Sequence, residues 1–131
     1  MGFSEKVLNL RALIVEDNAF FREVLKEKLQ TASSSMAIDE AAEGSEALQK
    51  VEALRPELVF MDIRLPGENG LQLTAKIKAR CPDITVIILT SYDTQEYREA
   101  AIQAKANYFL SKGTTSRESI LTLVKSILDG K

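Results

Sequence analysis

The stretch Glu57-Leu-Val-Phe-Met-Asp62-Ile-Arg-Leu-Pro66-Gly67-Glu-Asn-Gly70 decides how the rest of the chain is read. Its apolar run LVFM ends in an acid, and a proline and two glycines follow closely. An uninterrupted apolar run this short fits a strand buried on both faces of a parallel sheet. The Pro/Gly cluster fits a turn that leads into a helix. Asp62 then stands at the carboxyl end of a strand, either to end it or to present a carboxylate for chemistry.

Similar β-rich runs lie on both sides, at Arg11–Glu16 (RALIVE), Ile84–Thr90 (ITVIILT) and Asn107–Ser111 (NYFLS), with a weaker one at Met36–Ala42 (MAIDEAA). Helical spacing fills the intervals. Phe21, Leu25 and Leu29 recur every four residues, flanked by Phe20 and Val24. Leu48, Val51 and Leu54 line the second helix, Leu73 and Ile77 the third, and Tyr97, Ala101 and Ala104 the fourth. Ile120, Val124, Ile127 and Leu128 define the last. Pro56 and Pro82 stop helices ahead of the third and fourth strands. Five strand–helix units in alternation predict one α/β domain with a mainly parallel sheet. Right-handed crossovers put the carboxyl ends of its strands on one edge, where such folds bind ligands.

The totals agree with one globular domain. The chain has 131 residues, 45% hydrophobic and 27% charged, and a net charge of −2. That balance gives no general attraction to nucleic acid or anionic membrane. No apolar run is long enough to span a bilayer, and MGFSEKVLNL lacks the apolar core of a signal peptide, so a cytoplasmic protein is expected. Cys81 is the single cysteine and no histidine is present, which excludes an intrachain disulfide and any histidine-based triad or metal site within this chain. A packing or surface role suffices for Cys81.

At the ligand edge the strand ends supply Glu16-Asp17, Asp62, Thr90-Ser91 and Ser111-Lys112, while the second strand ends in Ala41-Ala42. Singly, each has an ordinary explanation. Glu16-Asp17-Asn18 can cap a helix, Asp62 can end a strand, Thr90 can be a strand or cap hydroxyl, and Lys112 can be a solvated lysine. Together they describe a site. Three close carboxylates repel one another unless a cation intervenes, and a hard, oxygen-preferring ion such as Mg2+ meets that need. Lys112 and Thr90 add a positive charge and a hydrogen-bond donor suited to phosphoryl oxygens. An aspartate so placed can itself attack phosphorus and form an aspartyl phosphate, with no proton to remove first.

The chain resembles, over nearly its whole length, the receiver domain of two-component response regulators. The segments that carry the resemblance are LIVEDN at 13–18, LVFMDIRLPGENG at 58–70, ILTSYD at 88–93 and FLSKG at 109–113. The resemblance implies a flavodoxin-like, doubly wound five-stranded sheet of order 2-1-3-4-5 with five helices, in a single domain over 1–131 with its core at about 10–129. It implies Asp62 as phosphoacceptor and Mg2+ held by Asp17, Glu16, Asp62 and the backbone carbonyl of Arg64. Thr90 and Lys112 would contact the phosphoryl group. Phe109 would be the aromatic switch that responds when Thr90 moves inward, remodelling a face formed by the fourth helix, last strand and last helix. The implied phosphodonor is a histidine kinase or phosphotransfer protein, with self-catalysed phosphotransfer and autodephosphorylation rather than metabolic turnover. Homodimerisation on activation is a further expectation.

Several positions depart from the commonest pattern. Glu16 stands where many relatives have Asp, and Ser91 where many have Ala or Gly. Arg64 and Tyr92 occupy variable positions that influence phosphate lifetime. Gly113 follows Lys112 where many receivers have proline and a cis bond. That last feature, with FLSKGTTSRESILTLVKSI, resembles the receivers of LuxR/NarL-type transcriptional regulators. Two other classes compete. A haloacid-dehalogenase-like phosphohydrolase would use the same nucleophile, but its second aspartate is Arg64 here. A flavodoxin-like cofactor binder would need a Ser/Thr/Gly-rich loop where this chain has EDNAFF. Output is expected to be transcriptional, through a DNA-binding domain outside this chain, with a stand-alone receiver acting by protein contact as the alternative. No direct nucleic-acid or membrane binding by this chain is expected.

Overall fold

The computed structural model describes residues 10–130. Five strands, β1 (Arg11–Val15), β2 (Ala37–Ala41), β3 (Leu58–Met61), β4 (Thr85–Thr90) and β5 (Tyr108–Ser111), alternate with five helices. The helices are α1 (Ala19–Ala32), α2 (Gly44–Leu54), α3 (Gly70–Arg80), α4 (Gln95–Gln103) and α5 (Arg117–Asp129). All four strand pairings are parallel and the order is β2-β1-β3-β4-β5, as the resemblance implies.

The apolar runs are continuous because both sheet faces are covered, yet successive residues still serve opposite faces. Leu13, Val15, Val59, Met61, Val86 and Ile88 join one core with Ala47, Val51, Leu73 and Ile77 of α2 and α3 and Ala101 of α4. Ala12, Ile14, Leu58, Phe60, Ile87 and Leu89 join the other with Leu25 and Leu29 of α1 and Ile120, Val124 and Ile127 of α5. Central strands β1, β3 and β4 are almost wholly buried. Edge strand β2 is only half-buried, which accounts for its weak, acid-containing pattern AIDEA. Strand limits are one residue tighter than the sequence reading at Glu16, Met36, Ala42, Asp62, Ile84 and Asn107, because these positions lie just beyond the ladders.

One apolar residue beside a helical stripe does not share its burial, since Phe20 is 79% exposed. Ala104 is buried as the spacing predicts and stands at the C-cap of α4. Cys81 is buried beside the Arg55 guanidinium, with Nη1 to Sγ at 2.8 Å. No helix among the described residues is long and apolar enough to cross a membrane.

The amino end of the sheet is tied by one lysine. Lys78 of α3 donates to the carbonyls of Pro82 and Ile84 at 3.0 and 2.7 Å and to Asn107 Oδ1 at 3.0 Å. Asn107 Oδ1 also accepts from the Val86 amide at 2.9 Å, so α3, β4 and the approach to β5 meet at one point.

Candidate functional site

At the opposite end, main-chain bonds continue just past the ladders. The Glu16 amide donates to Ala41 O at 2.9 Å, Asp62 N to Val15 O at 3.0 Å and Lys112 N to Thr90 O at 2.8 Å. The residues that follow β1, β3 and β5 are thereby held at one edge. Glu16, Asp17 and Asp62 converge there, each offering an oxygen within 4.8 Å of the others. Glu16 and Asp62 are buried, whereas Asp17 is open to solvent.

The chain divides the EDN tripeptide between two jobs. Asn18 alone caps α1, its Oδ1 accepting from the Phe21 amide at 2.9 Å. Glu16 turns inward, its Oε2 accepting from the Asn18 amide at 2.9 Å. Asp17, freed from capping, remains available at the mouth. Loss of the cap oxygen in Asn18→Ala is expected to cost about 1 kcal/mol, read as a melting temperature lower by roughly 4 °C. The inward placement of Glu16 should survive, because its bond comes from the main-chain amide of residue 18.

Lys112 spans the two buried acids. Its Nζ lies 2.5 Å from Glu16 Oε1 and 3.2 Å from Asp62 Oδ2, and its side chain is only 15% exposed. Asp62 Oδ1 accepts from the Ile63 amide at 2.7 Å. Burial pushes the Glu16 carboxyl above its ordinary range, opposed by the hydrogen bonds from Lys112 and the Asn18 amide and reinforced by the charge of Asp62. Burial also works to lower Lys112, but the bond to Glu16 and the charge of Asp62 outweigh it and hold the ammonium above the usual lysine value. Lys112 is therefore charged at neutral pH. One ammonium faces three carboxylates, a surplus of negative charge that a divalent cation with oxygen preference would neutralise. The all-oxygen donor set fits a hard divalent cation on chemistry, and the three acids stand close enough to share one.

Thr90 is fully buried, and its Oγ1 accepts from the Tyr92 amide at 3.2 Å. Phe109, two residues along β5 from Ser111, is half-buried, with the Arg98 guanidinium 4.7 Å from its ring centroid. Arg98 also binds Asp93 through two nitrogens, at 2.6 and 2.9 Å. Arg64 is exposed and sets its guanidinium 4.2 Å from the Tyr92 ring, which meets Tyr97 edge-on. No cis peptide bond occurs among the described residues, at Gly113 or elsewhere.

The turn after Asp62 is shaped by close approach. Gly67 has φ +84°, a backbone state that favours glycine. Gly70 opens α3 with its amide donating to Ile63 O at 2.8 Å, and a Cβ there would lie 1.9 Å from Asp62 O. Asn69 caps the helix, its Oδ1 accepting from Leu71 at 2.6 Å.

Two neighbours of the site were not singled out from the sequence. Arg22 donates from Nη1 to Glu16 O at 2.6 Å and from Nε to Glu40 Oε1 at 3.1 Å, so it steadies the acidic turn from α1. Phe21, read as part of the core stripe, also presents its ring to Lys112 Nζ at 4.2 Å from the centroid. Spacing along α1 placed Phe21 toward the sheet, but nothing local indicated that a residue so distant in sequence would meet it.

Residues 12–125 match the family model described as the response regulator receiver domain. The chain is 34% identical over 113 residues to the uncharacterized transcriptional regulatory protein YhcZ of Bacillus subtilis, covering 86% of this chain and 53% of that protein. It is 32% identical over 122 residues to the oxygen regulatory protein NreC of Staphylococcus carnosus, covering 92% of this chain and 56% of that protein. The chain thus spans little more than half the length of these relatives. Among solved structures, a CheY-like receiver protein from Methanospirillum hungatei superposes with a TM-score of 0.85 at 27% identity, over 93% of this chain and 95% of that one. The receiver domain of a response regulator, NarL, from Mycobacterium tuberculosis superposes with a TM-score of 0.83 at 27% identity, over 94% and 98%.

Proposed function

Because the chain belongs to the response regulator receiver family, with LuxR/NarL-type regulators among its relatives, we propose that it is a signalling switch charged by phosphorylation of Asp62. The observation that carries this reading is the Asp62 carboxylate between two further acids and an ammonium at the carboxyl edge of the sheet. One oxygen of Asp62 attacks phosphorus, and the bond from phosphorus to the donor's leaving atom breaks with its electron pair. Asp17, Glu16, Asp62 and the main-chain carbonyl of Arg64 would hold Mg2+, which when bound offsets the charge on the phosphoryl oxygens. Lys112 donates to one phosphoryl oxygen and Thr90 to another. Drawing Thr90 inward changes the space beside Phe109 and shifts an existing equilibrium between two arrangements of α4, β5 and α5.

The donor is a histidine kinase or phosphotransfer protein, and the residues form one receiver domain over 1–131 with its core at about 10–129. The output is proposed to be transcriptional, through a DNA-binding domain outside this chain, in keeping with relatives of which the match covers little more than half. The activated receiver is proposed to dimerise. The reading is tested by incubation with Mg2+ and a small acyl phosphate, followed by intact mass. Addition of one phosphoryl group is expected; no addition, or addition without Mg2+, would overturn it.

Lys112→Ala separates the lysine's two relationships. It should slow phosphoryl incorporation, because a donor to the phosphoryl oxygens is lost. Mg2+ affinity by calorimetry should be retained or rise, since the competing cation is gone from Glu16 and Asp62. A large fall in Mg2+ affinity with normal labelling would count against this assignment.

A further inference from the structure

Phe21 stands where it can control how the phosphoryl-contacting lysine is presented. We infer that Phe21 is a positioning residue for phosphoryl transfer, holding the Lys112 ammonium inward by a cation–π contact. The inference rests on the proposed role of Lys112 and concerns how that role is prepared before a phosphodonor arrives.

An ammonium has three N–H groups pointing in different directions. Two directions at Lys112 Nζ are taken by carboxylates, Glu16 Oε1 at 2.5 Å and Asp62 Oδ2 at 3.2 Å. The ring of Phe21 lies 4.2 Å away, within the distance at which an aromatic face attracts a cation. The contact is partly desolvated, since the lysine side chain is 15% exposed. Water would otherwise occupy that side and draw the flexible lysine stem outward. The asparagine cap fixes the first turn of α1 by accepting from the Phe21 amide itself, so the ring is anchored at its own backbone.

Phe21 also packs against the core shared by α1 and α5. A purely structural account would make it an apolar filler at the start of α1. Leucine preserves apolar character but has no π face, whereas tyrosine keeps the face. Neighbouring Phe20 carries a ring as well, yet it is 79% exposed and provides an internal contrast.

Two measurements on the whole chain decide the matter. The first uses the metal-free protein and needs no phosphoryl chemistry: amine-acylation footprinting read by peptide mass. Phe21→Leu should raise acylation of Lys112 about threefold to tenfold, the range expected for loss of a partly desolvated cation–π contact. Phe21→Tyr should leave it unchanged, as should Phe20→Leu, and exposed Lys125 serves as the reference in each. Equal acylation of Lys112 in wild type and Phe21→Leu would overturn the inference.

The second measures the initial rate of labelling by a small acyl phosphate with Mg2+. Phe21→Leu should lower it about threefold to tenfold, and the same substitution should have no further effect in a Lys112→Met background. Equal fractional losses in both backgrounds would show that the ring acts through packing, and would overturn the inference. If wild type does not label at all, the proposed function fails, while the footprint still reports on the contact.

Discussion

Asp62→Asn is expected to abolish phosphoryl incorporation while leaving the fold intact. The substituted amide keeps the shape of the carboxylate and an oxygen for the Ile63 amide, which donates to Asp62 Oδ1 at 2.7 Å. It is not a nucleophile toward phosphorus, so intact mass after incubation with acyl phosphate and Mg2+ should show no addition. Its NH2 group cannot accept from Lys112, whose Nζ lies 3.2 Å from Asp62 Oδ2, so the ammonium should settle on Glu16. Stability should not fall, because one of three mutually repelling carboxylates has been neutralised. Equal labelling of this variant, with the modification mapped to Asp17 or Glu16, would overturn the assignment of Asp62 as acceptor.

Gly70→Ala is expected to damage both stability and chemistry. The added Cβ would lie 1.9 Å from Asp62 O and 2.9 Å from Asp62 C, so the start of α3 and the main chain of Asp62 must separate. Main-chain atoms cannot rotate away as a flexible side chain could. The cost is about 3 kcal/mol or more, seen as a melting temperature lower by roughly 10 °C. Labelling of the folded fraction should also slow, since the displaced atoms carry the carboxylate proposed to react. Gly67 supplies the control. It has φ +84° but nothing within 4 Å of an added Cβ, so Gly67→Ala should lose only about 1 kcal/mol and label normally. Similar behaviour in the two variants would show that close approach at Gly70 does not matter.

The two glycines stand three residues apart, one in the turn and one opening α3, and this shows what can be read from sequence. PGENG announces a turn through residue type alone. That Gly70 rather than Gly67 touches the backbone of Asp62 depends on how α3 returns over the sheet. The alternation of LIV, LVF and VIIL with helical spacing sufficed for the parallel architecture, because burial on both faces leaves continuous apolar runs. Edge strand β2 was faint for the same physical reason, since only Ala41 of its five residues is fully buried. Phe20 misled because an apolar residue near a stripe carries no sign of which side of the helix it occupies. The convergence of Glu16, Asp62 and Lys112 followed from strand ends meeting at one edge. Their pairing across 96 residues of chain, between Glu16 and Lys112, is a product of packing that no local pattern encodes.

The Lys78 clamp gives this small sheet a fixed end and a working end. Its bonds to Pro82 O, Ile84 O and Asn107 Oδ1 staple three elements together beneath the strands, as far along β4 from Thr90 as the strand allows. A displacement begun at the threonine, as proposed for the switch, would therefore meet resistance at the base and be spent at the tips, like flexure in a reed held at one end. Amide exchange should report this as a gradient along β4, with Val86 protected in every signalling state and sensitivity confined to the last turn of chain before Tyr92.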